Sequence, residues 1–184
     1  GDAYNEEDRW DTLASELGVL LHSVCPRWLS FVQGVGHCMS DDYPCTMPSA
    51  PATQDVSIST WWGENLQAAA RYPVNVGERR RGIGKLVLSP HTYGPSTYPQ
   101  PQFNTSLHRE FPENLPKLWS AQWAYLAEAG TFPVVVGEFG GRCTGNDAVF
   151  QRRLVQFISS QSIGAFYWSL TPDSGDSGGL MIDW

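Results

Sequence analysis

Apolar residues recur at the spacing of one helix face over about residues 8–23, where Trp10, Leu13, Ala14, Leu17, Leu20 and Leu21 fall together. Positions three and four apart stack on one side of an α-helix, so this stretch predicts an amphipathic helix. Pro26 ends it, because proline brings no amide hydrogen to the ladder. Trp28 to Val35 then reads as a short buried strand, and residues 36–58, rich in Ser, Pro, Asp and Thr, as a long loop. Trp61 to Ala70 predicts a short helix. Lys85 to Ser89 predicts a second strand, with Pro90-His91-Thr92-Tyr93-Gly94-Pro95 at its end and residues 95–114 as a polar loop. Leu115 to Ala129 reads as a helix presenting Leu118, Trp119, Trp123, Leu126 and Ala127 on one face. Phe132 to Val136 is a third strand, continuous in β-branched residues as a parallel strand buried on both faces should be, and it runs into Gly137-Glu138-Phe139-Gly140-Gly141. Asp147 to Ser160 predicts a helix with Phe150, Leu154, Val155 and Ile158 as its buried stripe. Ile163 to Leu170 is the fourth strand, and a Gly/Ser/Asp-rich loop follows.

Helices alternating with strands imply right-handed crossovers and a parallel sheet, hence an α/β fold. Polar groups cluster where strands finish: His91 and Tyr93 after the second, Glu138 at the third, Trp168 at the fourth. In a (β/α)8 barrel the strand ends form the catalytic face. Such a barrel needs twice the four strands read here, and about 250 residues. An open doubly wound sheet is the other architecture with this alternation, but no Gly-rich phosphate loop follows the first strand, which excludes a nucleotide fingerprint.

Composition narrows the function. The 184 residues carry 12 Lys+Arg against 19 Asp+Glu, a net charge of −7, which opposes binding to nucleic acid phosphates. Arg79-Arg80-Arg81 is the only basic run and reads as a solvated turn. No apolar run is long enough to span a membrane. Charged residues are only 17% and hydrophobic residues 41%, the balance of a folded core. Eight Trp, seven Tyr and eight Phe supply flat amphipathic rings that stack on sugars and also fill cores.

Cys38 and Cys45 flank a short loop and are expected to form a disulfide, while the pairing of Cys25 and Cys143 stays open. There is no Cys-x-x-Cys spacing and the only neighbouring histidine is His37, so no metal and no cofactor are expected. Together with the sequon Asn104-Thr105-Ser106, the disulfide points to an oxidising, extracellular setting. The chain opens on Gly1 with no signal segment and ends at Ile182-Asp183-Trp184, which reads as an interior piece of a longer protein.

Glu138 is the leading chemical candidate. A carboxylate at the end of a buried strand is costly unless it is paired, hydrogen-bonded or open to a cleft, and the flanking glycines leave room for a ligand. The bland alternative is a structural carboxylate capping the next turn. His91 and Tyr93, two apart, can point to one side of the chain. A tyrosine hydroxyl there can donate to the carboxylate. Phe166, Tyr167 and Trp168 cannot all face one way, so one of them lines the mouth.

Five segments then carry a family resemblance: Trp61-Trp62-Gly63-Glu64-Asn65-Leu66, Ser89 to Pro95, Tyr98-Pro99-Gln100-Pro101-Gln102-Phe103, Val136 to Gly141, and Tyr167 to Gly179. In order and spacing they resemble cellulases of glycoside hydrolase family five. The resemblance covers nearly the whole chain, residues 1–184 as a single partial domain. It implies a retaining endo-β-1,4-glucanase, with strands five to eight of a (β/α)8 TIM barrel in this chain. It further implies Glu138 as nucleophile, His91 and Tyr93 as the groups that orient it, and Trp168 as the platform under the sugar. Trp61 or Trp62 would add a stacking surface for the β-glucan. The family's acid/base is the Glu of an Asn-Glu-Pro motif ending strand four. Asn5-Glu6-Glu7 superficially resembles that motif, but no apolar strand precedes it and Glu7 replaces the proline. Strands one to four and the final helix are therefore expected to be absent, and a homodimer or a complementing N-terminal half to be needed. A non-catalytic carbohydrate-binding relic is the alternative. Glu64 departs from the family by standing where a second glycine is usual, as does Gln102 where an aromatic is common, and the segment carrying Cys38 and Cys45 has no family counterpart.

Overall fold

The computed structural model describes residues 9–36, 60–77 and 84–181. Helix α1 (Trp10–Val24) ends where the Cys25 amide closes on the Leu21 carbonyl at 2.7 Å, one residue before Pro26. Strand β1 (Ser30–Val32) is shorter than the segment that predicted it, because Val35 turns away into an antiparallel bridge with Asn65. β2 (Leu86–Leu88) and β3 (His91–Tyr93) are two stretches separated by Ser89-Pro90. Proline has no amide hydrogen for the ladder there. The chain nevertheless stays in line, since the Ser89 amide donates to the Val32 carbonyl and the Gly137 amide to the Pro90 carbonyl, both at 2.8 Å.

β4 (Val135–Gly140) and β5 (Gly164–Tyr167) complete the strands. β1 pairs with β2, and β3 with β4 and β4 with β5, all in parallel. A parallel bridge from Leu88 to Val134 joins the two sheets. The result is an α/β arrangement with four strand positions in sequential order and, among the described residues, no closed barrel. On one face lie α2 (Leu115–Trp119), a π-helical turn (Ser120–Ala124), α3 (Tyr125–Glu128) and α4 (Gly145–Ser160). The core sits between these helices and the sheet, with Trp119, Trp123, Phe150, Leu154, Leu88 and Val136 almost fully buried.

Several expectations are corrected. Trp61 to Ala70 is a run of turns rather than a helix. Gly63 adopts φ +80°, which lies outside the helical region, and its carbonyl accepts from the Gly34 and His91 amides instead of from a helical neighbour. Strand β4 starts later and runs further than Phe132 to Val136, so Glu138 lies within it rather than after it. In α4 the buried stripe is Phe150, Leu154, Phe157 and Ile158, whereas Val155, a helical step off that face, is 44% exposed. Residues 95–114 are partly ordered by a 3₁₀ turn, Pro101–Phe103, that sends Phe103 into the core. Cys38, Cys45, the arginine run and Glu6 lie outside the described residues, while Cys25 and Cys143 carry free thiols.

The apolar stripe of α1 is the most consequential difference. Its buried residues are Asp11, Ala14 and Gly18, while Leu13, Leu17 and Leu20 are half or more exposed. The helix borders β1, the open edge of the sheet, where Trp28, Leu29 and Phe31 are also exposed. A groove of about 380 Å³ separates the two and is lined by Leu17, Leu21, Leu29 and Phe31. At the opposite edge Phe166, Trp168 and Leu170 are exposed.

Candidate active site

The parallel register sets His91 of β3 beside Glu138 of β4. Side chains alternate along a strand, so Tyr93, two residues on, returns to the side of His91, and Thr92 points to the other. Tyr93 donates its hydroxyl to Glu138 Oε2 at 2.8 Å, and His91 Nδ1 lies 3.5 Å from the same oxygen. Among the described residues no hydrogen bond reaches Glu138 Oε1. The Tyr93 hydroxyl therefore holds the carboxylate through one oxygen, with the His91 ring beside that oxygen and the other oxygen unengaged, while the side chain keeps 31% of its surface exposed.

Two glycines allow this approach. A Cβ at Gly137 would overlap Ser89 Oγ and lie 3.1 Å from the His91 ring, and one at Gly140 would overlap the Trp168 carbonyl oxygen. Burial lowers the His91 pKa, opposed by the charge of Glu138. Burial raises the Tyr93 pKa well above the usual phenol range, and the hydrogen bond to Glu138 and its charge raise it further. Tyr93 therefore stays protonated and remains a donor throughout the pH range of a folded protein.

Trp168 follows β5, and its amide donates to the Phe139 carbonyl at 2.8 Å, one residue from Glu138. Its indole is 48% exposed and donates to Ser174 Oγ at 3.3 Å. Ser174 in turn donates to Asp176 and shares a hydrogen bond with Ser177. The loop after β5 thus buttresses the indole. Nothing in the sequence of this Gly/Ser/Asp-rich loop marks its serines for that task. Trp61 packs edge-on against Tyr93 with ring centroids 5.2 Å apart, and tilted against Tyr98 at 6.2 Å. Trp62 has Gly36 beside its ring and is 68% exposed; among the described residues the indole packed on Tyr93 is that of Trp61. No cluster of three or more potential metal ligands occurs among the described residues, nor a helix long and apolar enough to cross a membrane.

Sequence reasoning also passed over Glu64, noting it only as a departure. Its side chain is buried, with Oε2 accepting from the Trp61 amide at 2.8 Å and Oε1 from the Thr92 hydroxyl at 2.7 Å. Burial raises its pKa from 4.5 to about 7, opposed by those two bonds. Protonation on Oε1 is accommodated locally, because a hydroxyl can turn and accept whereas a backbone amide cannot.

Below pH 4.5 the carboxyl is protonated in both folded and unfolded chains, and the fold carries no penalty. As pH rises towards 7 the unfolded chain releases this proton first, so stability falls, by about 3 kcal/mol once the folded group has also ionised. Urea denaturation from about pH 4 to about pH 8 should show a loss in the wild type that Glu64→Gln does not share. Parallel pH profiles for the two proteins would contradict this.

A family model described as Cellulase (glycosyl hydrolase family 5) matches residues 3–174. An endoglucanase of Paenibacillus polymyxa is 37% identical over 182 residues, covering 97% of this chain and 41% of that protein. The major extracellular endoglucanase of Xanthomonas campestris pv. campestris is 34% identical over 183 residues, covering 97% and 33%. Among solved structures, a cellotetraose complex of the endocellulase from Pyrococcus horikoshii superposes with a TM-score of 0.78 at 36% identity, covering 98% of this chain and 45% of that one. The chain thus spans between a third and a half of the length of these relatives. With the family model matched across residues 3–174, this chain belongs to the cellulase family, glycosyl hydrolase family 5.

Proposed function

We propose that residues 1–184 are one partial domain carrying the nucleophile side of a retaining endo-β-1,4-glucanase. The observation that carries this reading is the Tyr93–Glu138–His91 cluster, in which Tyr93 holds Oε2 and Oε1 is left unengaged, with the partly exposed indole of Trp61 packed on Tyr93. In the first step Oε1 attacks the anomeric carbon of the sugar, and the bond to the leaving glucan oxygen breaks as a glycosyl ester forms on Glu138. A second carboxyl group, about 5–5.5 Å from the first in retaining enzymes, protonates the leaving oxygen and later deprotonates the water that frees the sugar. Trp168 offers its exposed face to the sugar at the cleavage point, and Trp61 extends the aromatic wall.

The second carboxyl group belongs, in this reading, to the strands that complete the barrel. An N-terminal half or a second copy of this chain would supply them, covering the apolar residues of α1 and β1 at one edge and of β5 at the other. An extracellular location agrees with the description of the Xanthomonas relative and with the exposed sequon residue Asn104.

Release of reducing ends from carboxymethyl-cellulose tests the reading, assayed on the chain alone and on the chain supplied with the N-terminal half of a family member. Activity appearing in either case supports it. The absence of activity in both, with soluble folded protein, contradicts it. Tyr93→Phe should lower turnover about 10- to 100-fold, the worth of a hydrogen bond to a charged group, with an unchanged circular dichroism spectrum. A rate within twofold of wild type would remove Tyr93 from the site.

A further inference from the structure

Glu64 is a buried acid with no place in the chemistry above. Its two oxygens reach two different parts of the cleft. Oε2 holds the amide of Trp61, whose indole packs on Tyr93, and Oε1 holds the hydroxyl of Thr92, which lies in β3 between His91 and Tyr93. Because strand side chains alternate, Thr92 projects from the face opposite to its two neighbours, so the acid grips β3 from behind the site. The turn closes on itself as well, since the Glu64 amide donates to the Trp61 carbonyl at 3.0 Å. Gly63, between them, binds β3 through its carbonyl to the His91 amide at 3.3 Å.

We propose that Glu64 is a positioning residue of the cleft, a single carboxyl group that ties the Trp61 turn to the strand carrying His91 and Tyr93. The proposal rests on the glucanase reading for the meaning of the cleft, but the tie itself is independent of activity. A turn of this kind has little regular structure to hold it: residues 61–64 lie in no helix or strand. The Trp61 backbone amide meets the acid, and its ring meets Tyr93 and Tyr98. Losing the acid frees one end of that arrangement and leaves the Trp61 amide and the Thr92 hydroxyl without their acceptor, so the aromatic wall loosens relative to the nucleophile.

Glutamine preserves the pattern in one orientation. Its carbonyl oxygen accepts from the Trp61 amide, and its amide group donates to the Thr92 oxygen. Alanine preserves neither bond. The test is hydrogen exchange of the peptide spanning residues 60–66, with the α4 peptide around Leu154 as internal control, paired with calorimetric binding of cellotetraose. Glu64→Ala should accelerate exchange of the turn about tenfold and weaken cellotetraose about tenfold with α4 unchanged, and Glu64→Gln should restore both to within about threefold. Equal exchange of the turn in wild type and Glu64→Ala overturns the proposal, as does a Glu64→Gln protein that behaves like the alanine variant.

Should Glu64→Ala not fold, Thr92→Val and Thr92→Ser give the same decision. Removing the hydroxyl should speed exchange of the turn about threefold relative to the serine variant, and indistinguishable rates overturn the proposal. If the wild-type chain binds no cellotetraose, the glucan reading fails on that count, and the exchange comparison still decides whether Glu64 holds the turn.

Discussion

Glu138→Gln is expected to abolish glucan hydrolysis, lowering turnover at least about a thousandfold while leaving the fold intact. The amide keeps the shape of the carboxylate and still accepts from Tyr93, so the cluster that binds Oε2 persists. Its remaining group is a neutral amide, a poor nucleophile that cannot form the glycosyl ester in the time the carboxylate does. The change also removes no apolar contact, since the group sits partly exposed at the sheet. A companion variant separates chemistry from packing. Glu138→Ala with added azide should regain part of its turnover, because azide can occupy the space of the carboxylate and attack the sugar from the face the carboxylate would, opposite the leaving group. Activity of Glu138→Gln within tenfold of wild type would remove Glu138 from the nucleophile's role.

The second large effect concerns the open edges. At one lie Leu17 and Leu20 of α1 with Trp28 and Phe31, and at the other Phe166 and Leu170. Covering about 500 Å² of such apolar surface contributes on the order of 12 kcal/mol, an upper figure because unfolded chains already bury some of it. This is comparable with the net stability of a whole domain, about 5–15 kcal/mol. The chain alone should therefore associate at micromolar concentration, and a soluble N-terminal half should raise its melting temperature. Light scattering that shows only a compact 20.4 kDa species would contradict this.

The alternation of helices and strands was legible because each amphipathic element repeats its pattern over several turns or residues. α4 and the Leu115–Glu128 helices bury the residues their periodicity marks, apart from the exposed Val155 and the half-buried Ala127. Glu138, His91 and Tyr93 were legible for a different reason: a charged or polar group at the end of an apolar run is conspicuous, and two-residue spacing keeps His91 and Tyr93 on one side. The Trp61 segment was not legible. Its alanines favour a helix locally, but Gly63 at positive φ and the bonds from Glu64 and Gly63 to β3 hold it in turns, a tertiary override that no local pattern contains. Glu64 was missed for the same reason, because a glutamate in a polar segment reads as solvated until its two partners are seen. The exposure of α1 was hidden too, since its stripe states which side is apolar and not whether anything packs there.

Covalent trapping addresses the central claim most directly. A 2-deoxy-2-fluoro-cellobioside with a dinitrophenolate leaving group needs no acid to depart, so it reacts with the nucleophile whether or not the second carboxyl group is present. After reaction, digestion and mass spectrometry should find one fluorocellobiosyl group, carried by Glu138 in the peptide that ends at Arg142, and none in Glu138→Gln. Labelling of any other carboxylate, or none in a folded chain that binds cellotetraose, would contradict the account.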